Sequence, residues 1–430
     1  MSGEIRFGSS QVDVTPQVGV ELSGYLARQQ PSVGLHDRIH ARSLVIESSG
    51  RKAVLTVCDV LGFPDKLADE IRQAIAEKAG TDVDLVMLWG THTHSGPAVA
   101  SLNNCGTPDP KYIEVLRAGV IKSAGEAARE LRPCSLYWAQ TTCDVSRNRR
   151  IAWGSSRAAP PVPKELSLIS CNDLETGKVL ATLMHYTCHC VVMGGENRLI
   201  SADLAGAAAG ELSRVLSGSP TVLYANGACG DINPNAHPAG FDTLAQVGAT
   251  MAQSAMSALS KPENIALDGI EGRFAQVELP ARIMTEADLS GMARECREQE
   301  RKARTENESF KARMFDAHAM WAEGLLEKSR AGAYPASIQL RIHRLQLGPV
   351  NLLGLSAEPL SYFSHVLRDA APPWSLLVGY CDGLYGYLPS PEAMPEGGYE
   401  VSDACKYYGT PPLEAGAPRV AEKAIRGMLA

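Results

Sequence analysis

Positive charge is not in excess in this sequence. Its 430 residues carry 41 Lys and Arg against 48 Asp and Glu, a formal net charge of −7. No basic cluster is dense enough to follow a phosphate backbone, which excludes a dedicated nucleic-acid partner. Long hydrophobic runs are missing too. No window offers about 18 uninterrupted apolar residues, and the opening Met1-Ser2-Gly3-Glu4-Ile5 has no basic stretch leading into an apolar one. Neither membrane insertion nor export is expected, so the chain reads as cytoplasmic. Aromatics are scarce at 6%, and the 11 cysteines, an odd number, show no C-x2-C pairs and no regular spacing. Such usage argues against a disulfide framework or a structural zinc knuckle and for buried thiols.

What remains, 45% hydrophobic and 21% charged, is the composition of a globular chain rather than of a disordered or fibrous one. Apolar runs of strand length recur: Ala53 to Val57, Leu85 to Trp89, Thr221 to Tyr224, Val350 to Leu355 and Ser375 to Val378. Continuous runs of this kind predict strands buried on both faces. Amphipathic helical patterns lie between them, at Lys66 to Lys78, Pro110 to Leu131 and Ala239 to Ser260. The expected fold is therefore α/β, a layered mixed β-sheet domain flanked by helices, with polar residues at the strand ends where such folds build their sites. From Thr285 to about Arg330 the pattern changes to a charged, helix-favouring segment with Gly332 as a stop. It reads as a helical hairpin inserted in one domain spanning 1–430, either packed on the core or serving as a lid or a subunit contact.

Several strand ends carry chemistry. After the second run comes Gly90-Thr91-His92-Thr93-His94-Ser95-Gly96-Pro97, where an extended backbone would put His92 and His94 on one face. That suits one metal ligand beside a second imidazole, itself a proton shuttle or a second ligand. In His185-Tyr186-Thr187-Cys188-His189-Cys190 the preceding Val-Leu-Ala-Thr-Leu-Met run favours a strand, which makes His189 the ligand and leaves His185 to pack or hydrogen-bond. Asn226 to Asn235 forms a Gly-rich turn, able to present backbone N–H groups to an oxyanion or simply to reverse the chain. Glu358 is a lone carboxylate at a strand end. Tyrosines crowd the loop from Gly379 to Glu400.

Taken in order, the motifs T-H-T-H-S-G-P, H-x7-N-R-L-I-S, G-D-x-x-P-N, a late Glu and Y-x-x-x-P-E-x6-Y resemble the catalytic domain of the neutral/alkaline non-lysosomal ceramidases. The resemblance runs from Asp13-Val14-Thr15-Pro16 to Tyr399. It implies a zinc ion held by His92, His189, Glu358 and Tyr387, with His94 at the reacting centre and Arg149 and Tyr399 near the substrate's polar group. It departs at one position. The family's G-D-x-S-P-N turn supplies a serine regarded as the nucleophile, and here Asn233 stands in its place. A carboxamide cannot act as that nucleophile.

The resulting expectation is a zinc-dependent amidohydrolase cleaving an amide or lactam C–N bond in a small polar substrate, with zinc-bound hydroxide attacking and Asn233 donating a hydrogen bond. Long-chain ceramide is not the expected substrate, since the family's C-terminal β-sandwich and export signal are not seen in this sequence. Two other readings stay open: a zinc lyase or isomerase of a carboxylated metabolite, clamped by Arg149 and Arg198, and a non-catalytic relative. Cys229 is a residual alternative nucleophile. The expected partners are a small-molecule substrate and a second copy of the chain.

Overall fold

The structure is a computed structural model and describes residues 4–152, 154 and 160–429. Three sheets share one core. The first runs, edge to edge, Val86–Gly90, Arg51–Cys58, His40–Ser48, Arg6–Asp13 and Arg132–Pro133. The second runs Thr221–Asn226, Val179–Tyr186, Glu165–Asn172, Ser135–Thr142 and Glu263–Asn264, and the third Ile270–Pro280, Ser337–Leu347, Val350–Leu355 and Ser375–Val378.

Side-chain alternation explains why these strands read as unbroken apolar runs. In Arg51–Cys58 the residues Ala53, Leu55 and Val57 enter the shared core, while Val54 and Cys58 pack against the outer helices Asp65–Ala79 and Pro110–Arg129. Met87 and Trp89 point inward from the neighbouring strand, and Val86 and Leu88 outward. With both faces buried, period two leaves few polar positions, such as Thr56, whose hydroxyl is bonded to that of Ser43. The second sheet is covered outside by helices Asp203–Val215 and Phe241–Leu259, and the third by Tyr362–Ala370 and Ala417–Leu429.

One topological feature places the site. Among the described residues each sheet is antiparallel except for one parallel pair at its edge: Arg51–Cys58 with Val86–Gly90, Val179–Tyr186 with Thr221–Asn226, and Val350–Leu355 with Ser375–Val378. In a parallel pair both chains leave the sheet at the same end. Three such carboxyl ends meet, and the loops that follow them carry His92, His189 and Glu358.

The 285–330 segment is a helical hairpin, Glu286–Thr305 and Ser309–Arg330. Thr285 opens it with a capping box, accepting from the Asp288 N–H at 3.1 Å while Asp288 reaches back. The Asp316 and Glu323 carboxylates of the second helix pair with Arg297 of the first.

Trp89 ties the first two sheets together beneath the site, its indole N–H donating to the Tyr224 carbonyl at 2.9 Å. Trp89→Ala removes a fully buried ring and orphans that carbonyl. It is expected to lower unfolding free energy by about 3–5 kcal/mol in urea titrations.

Candidate active site

The segment after Gly90 turns sharply. His92 sits in the left-handed region, at φ 62, which is uncommon for a residue with a β-carbon and is kept only where the surroundings hold it. Its backbone N–H donates to Val60 at 3.0 Å, and its ring stacks on Tyr380 at 3.8 Å. The extended-strand expectation for His92 and His94 is thus corrected, because the strand ends at Gly90. The imidazoles still converge, with Nε2 atoms 3.2 Å apart, but they do so around a turn.

Several motif residues prove to be braces. A parallel bridge between Thr93 and Cys190 sets the His92–His94 segment beside His189. Asn197 donates to the Ser95 hydroxyl at 2.9 Å, and Thr93 donates to the Ser201 carbonyl at 2.9 Å. Asn226 accepts the Cys188 N–H at 3.2 Å, fixing the approach to His189. Gly24 leaves room for His94, since a β-carbon there would lie 2.4 Å from His94 Nδ1.

The metal-capable group is built from complementary tautomers. His92 Nδ1 donates to the Leu61 carbonyl at 2.8 Å and His189 Nδ1 to the Cys229 carbonyl at 2.5 Å. Each ring therefore presents an unprotonated Nε2. Both Nε2 atoms face the same carboxylate oxygen, Glu358 Oε2, at 3.0 Å from His92 and 3.2 Å from His189. All three residues are at most 1% exposed. Three lone pairs meeting in a buried space repel unless a cation or added protons lie among them, so the donor set fits a metal ion. His94 belongs to the same group of imidazoles. Tyr387 brings its hydroxyl to 3.5 Å from His189 Nε2, and Glu358 and Tyr387 are register partners in a short parallel ladder.

A second layer is ionic. Arg149 donates to the Tyr387 hydroxyl at 2.9 Å, to Asn233 Oδ1 at 3.4 Å and to Glu400 at 2.9 Å, while Arg150 holds the other Glu400 oxygen at 2.7 Å. Asp231 of the G-D-x-x-P-N turn accepts from Asn148 at 2.7 Å and from the Ser361 N–H at 2.7 Å, binding that turn to the Arg149 segment. With Oδ1 of Asn233 turned to Arg149, its Nδ2 has no protein partner among the described residues.

A cavity of 420 Å³ is lined by His94, Arg149, Asn233, Glu358, Tyr387 and Tyr399. Its lining also includes the apolar side chains of Leu26, Leu61, Val191 and Phe310. Phe310 comes from the helical hairpin, whose Arg313 donates to the carbonyls of Leu26 at 3.1 Å and Asn104 at 2.6 Å. The helical segment therefore contributes Phe310 to the cavity lining. Cys229 does not line it; its Sγ lies 3.0 Å from the Tyr380 hydroxyl and burial pushes the thiol well up. Arg198 donates to the Pro31 carbonyl and is not part of the lining, and His185 donates to the Leu377 carbonyl and lines a different cavity. The sequence reading missed Tyr408, which donates to Glu358 Oε1; only its place in a late Tyr-Tyr pair could have drawn attention.

The model of the family described as neutral/alkaline non-lysosomal ceramidase, N-terminal, matches residues 5–271, more than half of the sequence. The chain belongs to this family. It is 26% identical over 310 residues to the neutral ceramidase of Pseudomonas aeruginosa, covering 64% of this chain and 46% of that protein. To neutral ceramidase A of Dictyostelium discoideum it is 26% identical over 257 residues, covering 54% of this chain and 36% of the relative. It thus spans less than half the length of these curated relatives. The crystal structure of neutral ceramidase from P. aeruginosa superposes with a TM-score of 0.76 at 19% identity, covering 99% of this chain and 74% of that one. A ceramidase complexed with C2 gives 0.78 at 19% identity, with 99% and 75% covered. The likeness shows that the α/β fold of these ceramidases extends through the third sheet, beyond the matched residues.

Burial lowers the pKa of His189 to about 4, though Glu358 beside it opposes the shift, and burial lowers that of His185 to about 4 despite its bond to Leu377. Unfolded imidazoles titrate near 6.5, so between roughly pH 4 and 6.5 the unfolded chain binds more protons than the folded one. Stability of the metal-free protein is therefore expected to fall as pH drops through that window. Urea midpoints measured at intervals from pH 7 to 4.5 check this; a flat profile contradicts it.

Proposed function

We propose that the chain is a zinc-dependent hydrolase of a carbon–nitrogen bond, an amide or a lactam, in a small substrate. One observation carries the reading: the unprotonated Nε2 atoms of His92 and His189 both face the buried Glu358 Oε2, at 3.0 and 3.2 Å. Membership of the ceramidase family and the names of its relatives support amide chemistry. His92, His189 and Glu358 would hold the metal, joined by the Tyr387 oxygen. Bound there, zinc would supply Lewis acidity and a water made nucleophilic near neutral pH.

The remaining work falls to this chain's own groups. Enclosure, with His92 and His189 beside it, keeps His94 well below the ordinary imidazole range, and thus in the neutral form that can accept a proton. Arg149 orients the Tyr387 hydroxyl by donating to it. Asn233 takes no nucleophilic part. Its Nδ2 is placed to donate to the oxygen on which charge develops, as donors of an oxyanion hole do. Because the lining combines polar groups with the apolar side chains of Leu26, Leu61 and Phe310, the substrate would offer an amide to the former and an apolar portion to the latter. This narrows an all-polar substrate to one with a polar head and a compact apolar part.

Protein purified without chelator is expected to hold about one zinc ion per chain, and His92→Ala/His189→Ala to hold none. A double variant that keeps stoichiometric zinc removes the ligand assignment. In assays against short N-acyl amines and lactams, His94→Ala should lower kcat about 10²–10⁴-fold. The loss for Asn233→Ala should be about 10²-fold. If Asn233→Ser instead raises amide turnover, Asn233 only fills a vacated place and the donor role is wrong.

A further inference from the structure

Glu358 is gripped at both carboxylate oxygens. Oε2 faces the imidazole pair, and Oε1 takes the hydroxyl hydrogen of Tyr408, the last residue of the short helix Ala404–Tyr408. Nothing in the metal assignment requires this tyrosine. Yet its surroundings fix it closely: the ring packs where three apolar groups meet, against the Leu26–Leu61–Leu102 cluster, the Ile232–Tyr380–Leu384 cluster and the Leu360–Ala404 cluster.

Two glycines seat the ring. Gly409 turns left-handed at φ 68 and ends the helix directly after it. Gly386 sits at φ +124, where a β-carbon would stand 3.1 Å from Tyr408 Cδ2. The carbonyl of Gly386 also accepts the Glu358 backbone N–H at 2.8 Å. One glycine thus anchors the main chain of Glu358 and clears space for the ring that holds its side chain.

A carboxylate with two open oxygens can grip a cation through both, whereas an oxygen already accepting a strong O–H hydrogen bond is a poorer ligand. We propose that Tyr408 is a positioning residue that commits Glu358 to present Oε2 alone to the metal. The inference rests on the metal reading above. It assigns Tyr408 the role that partners of ligating carboxylates play in metal sites generally, fixing orientation and keeping a coordination position open.

Tyr408→Phe keeps the ring and removes only the hydroxyl. In titrations with Zn²⁺ against a competing chelator, its affinity is expected to differ from that of wild type by at least about 10-fold. The visible absorption bands of its Co²⁺-loaded form should shift in position and intensity, while the melting temperature of the metal-free protein stays close to wild type. Gly386→Ala keeps the hydroxyl but crowds the ring, and should shift the same Co²⁺ bands. Wild-type zinc affinity in Tyr408→Phe, with superimposable Co²⁺ spectra in both variants, overturns the proposal and leaves the metal centre standing. A wild-type chain that binds neither ion overturns both.

Discussion

A buried carboxylate facing two imidazole lone pairs is the constraint around which this molecule is arranged. Left as it stands, the meeting of His92 Nε2, His189 Nε2 and Glu358 Oε2 is repulsive. Few surroundings are less forgiving, because the low-polarity interior strengthens every uncompensated interaction. The carbonyls of Leu61 and Cys229 prevent the simplest relief, a shift of either ring proton to Nε2, by holding those protons on Nδ1. Tyr408 and Arg149 add to the same order, one gripping the carboxylate and the other the Tyr387 phenol.

The fold supplies the rigidity that such an arrangement needs. Each of its three sheets contributes the carboxyl end of a parallel strand pair, so the three principal residues come from three different walls of one core. None can move far without disturbing a strand buried on both faces. The left-handed backbone at His92 fits this picture, as a strained residue persists where packing leaves it no alternative. Part of the cavity lining comes from another direction, the helical hairpin that contributes Phe310.

Legibility in the sequence followed the physics of each feature. The strands Val350–Leu355 and Ser375–Val378 were readable to the residue because burial on both faces leaves a mostly apolar signature. The start of the helical segment at Thr285 was readable because a helix start is a local pattern; that Thr285 forms a capping box with Asp288 came from the structure. His92, His189 and Glu358 could be picked out because polar residues at the ends of buried strands are conspicuous, whereas Tyr387 entered only through the ceramidase resemblance; the structure brings all four together. The turn at His92 was not readable, since a non-glycine residue in left-handed backbone has no sequence mark. Neither was Tyr408: its partner lies 50 residues away, and no periodicity encodes a contact of that kind. The ionic layer of Arg149, Arg150 and Glu400 was hidden for the same reason, although the ceramidase resemblance pointed to Arg149.

X-ray absorption at the zinc edge tests the central claim most directly, because it reports the atoms around the ion rather than their consequences. Protein purified without chelator is expected to show a first shell of nitrogen and oxygen at about 2.0–2.2 Å, with the outer-shell pattern of imidazole. Absence of zinc, or a sulfur shell near about 2.3 Å from the chain's 11 cysteines, would contradict a metal centre built on His92, His189 and Glu358.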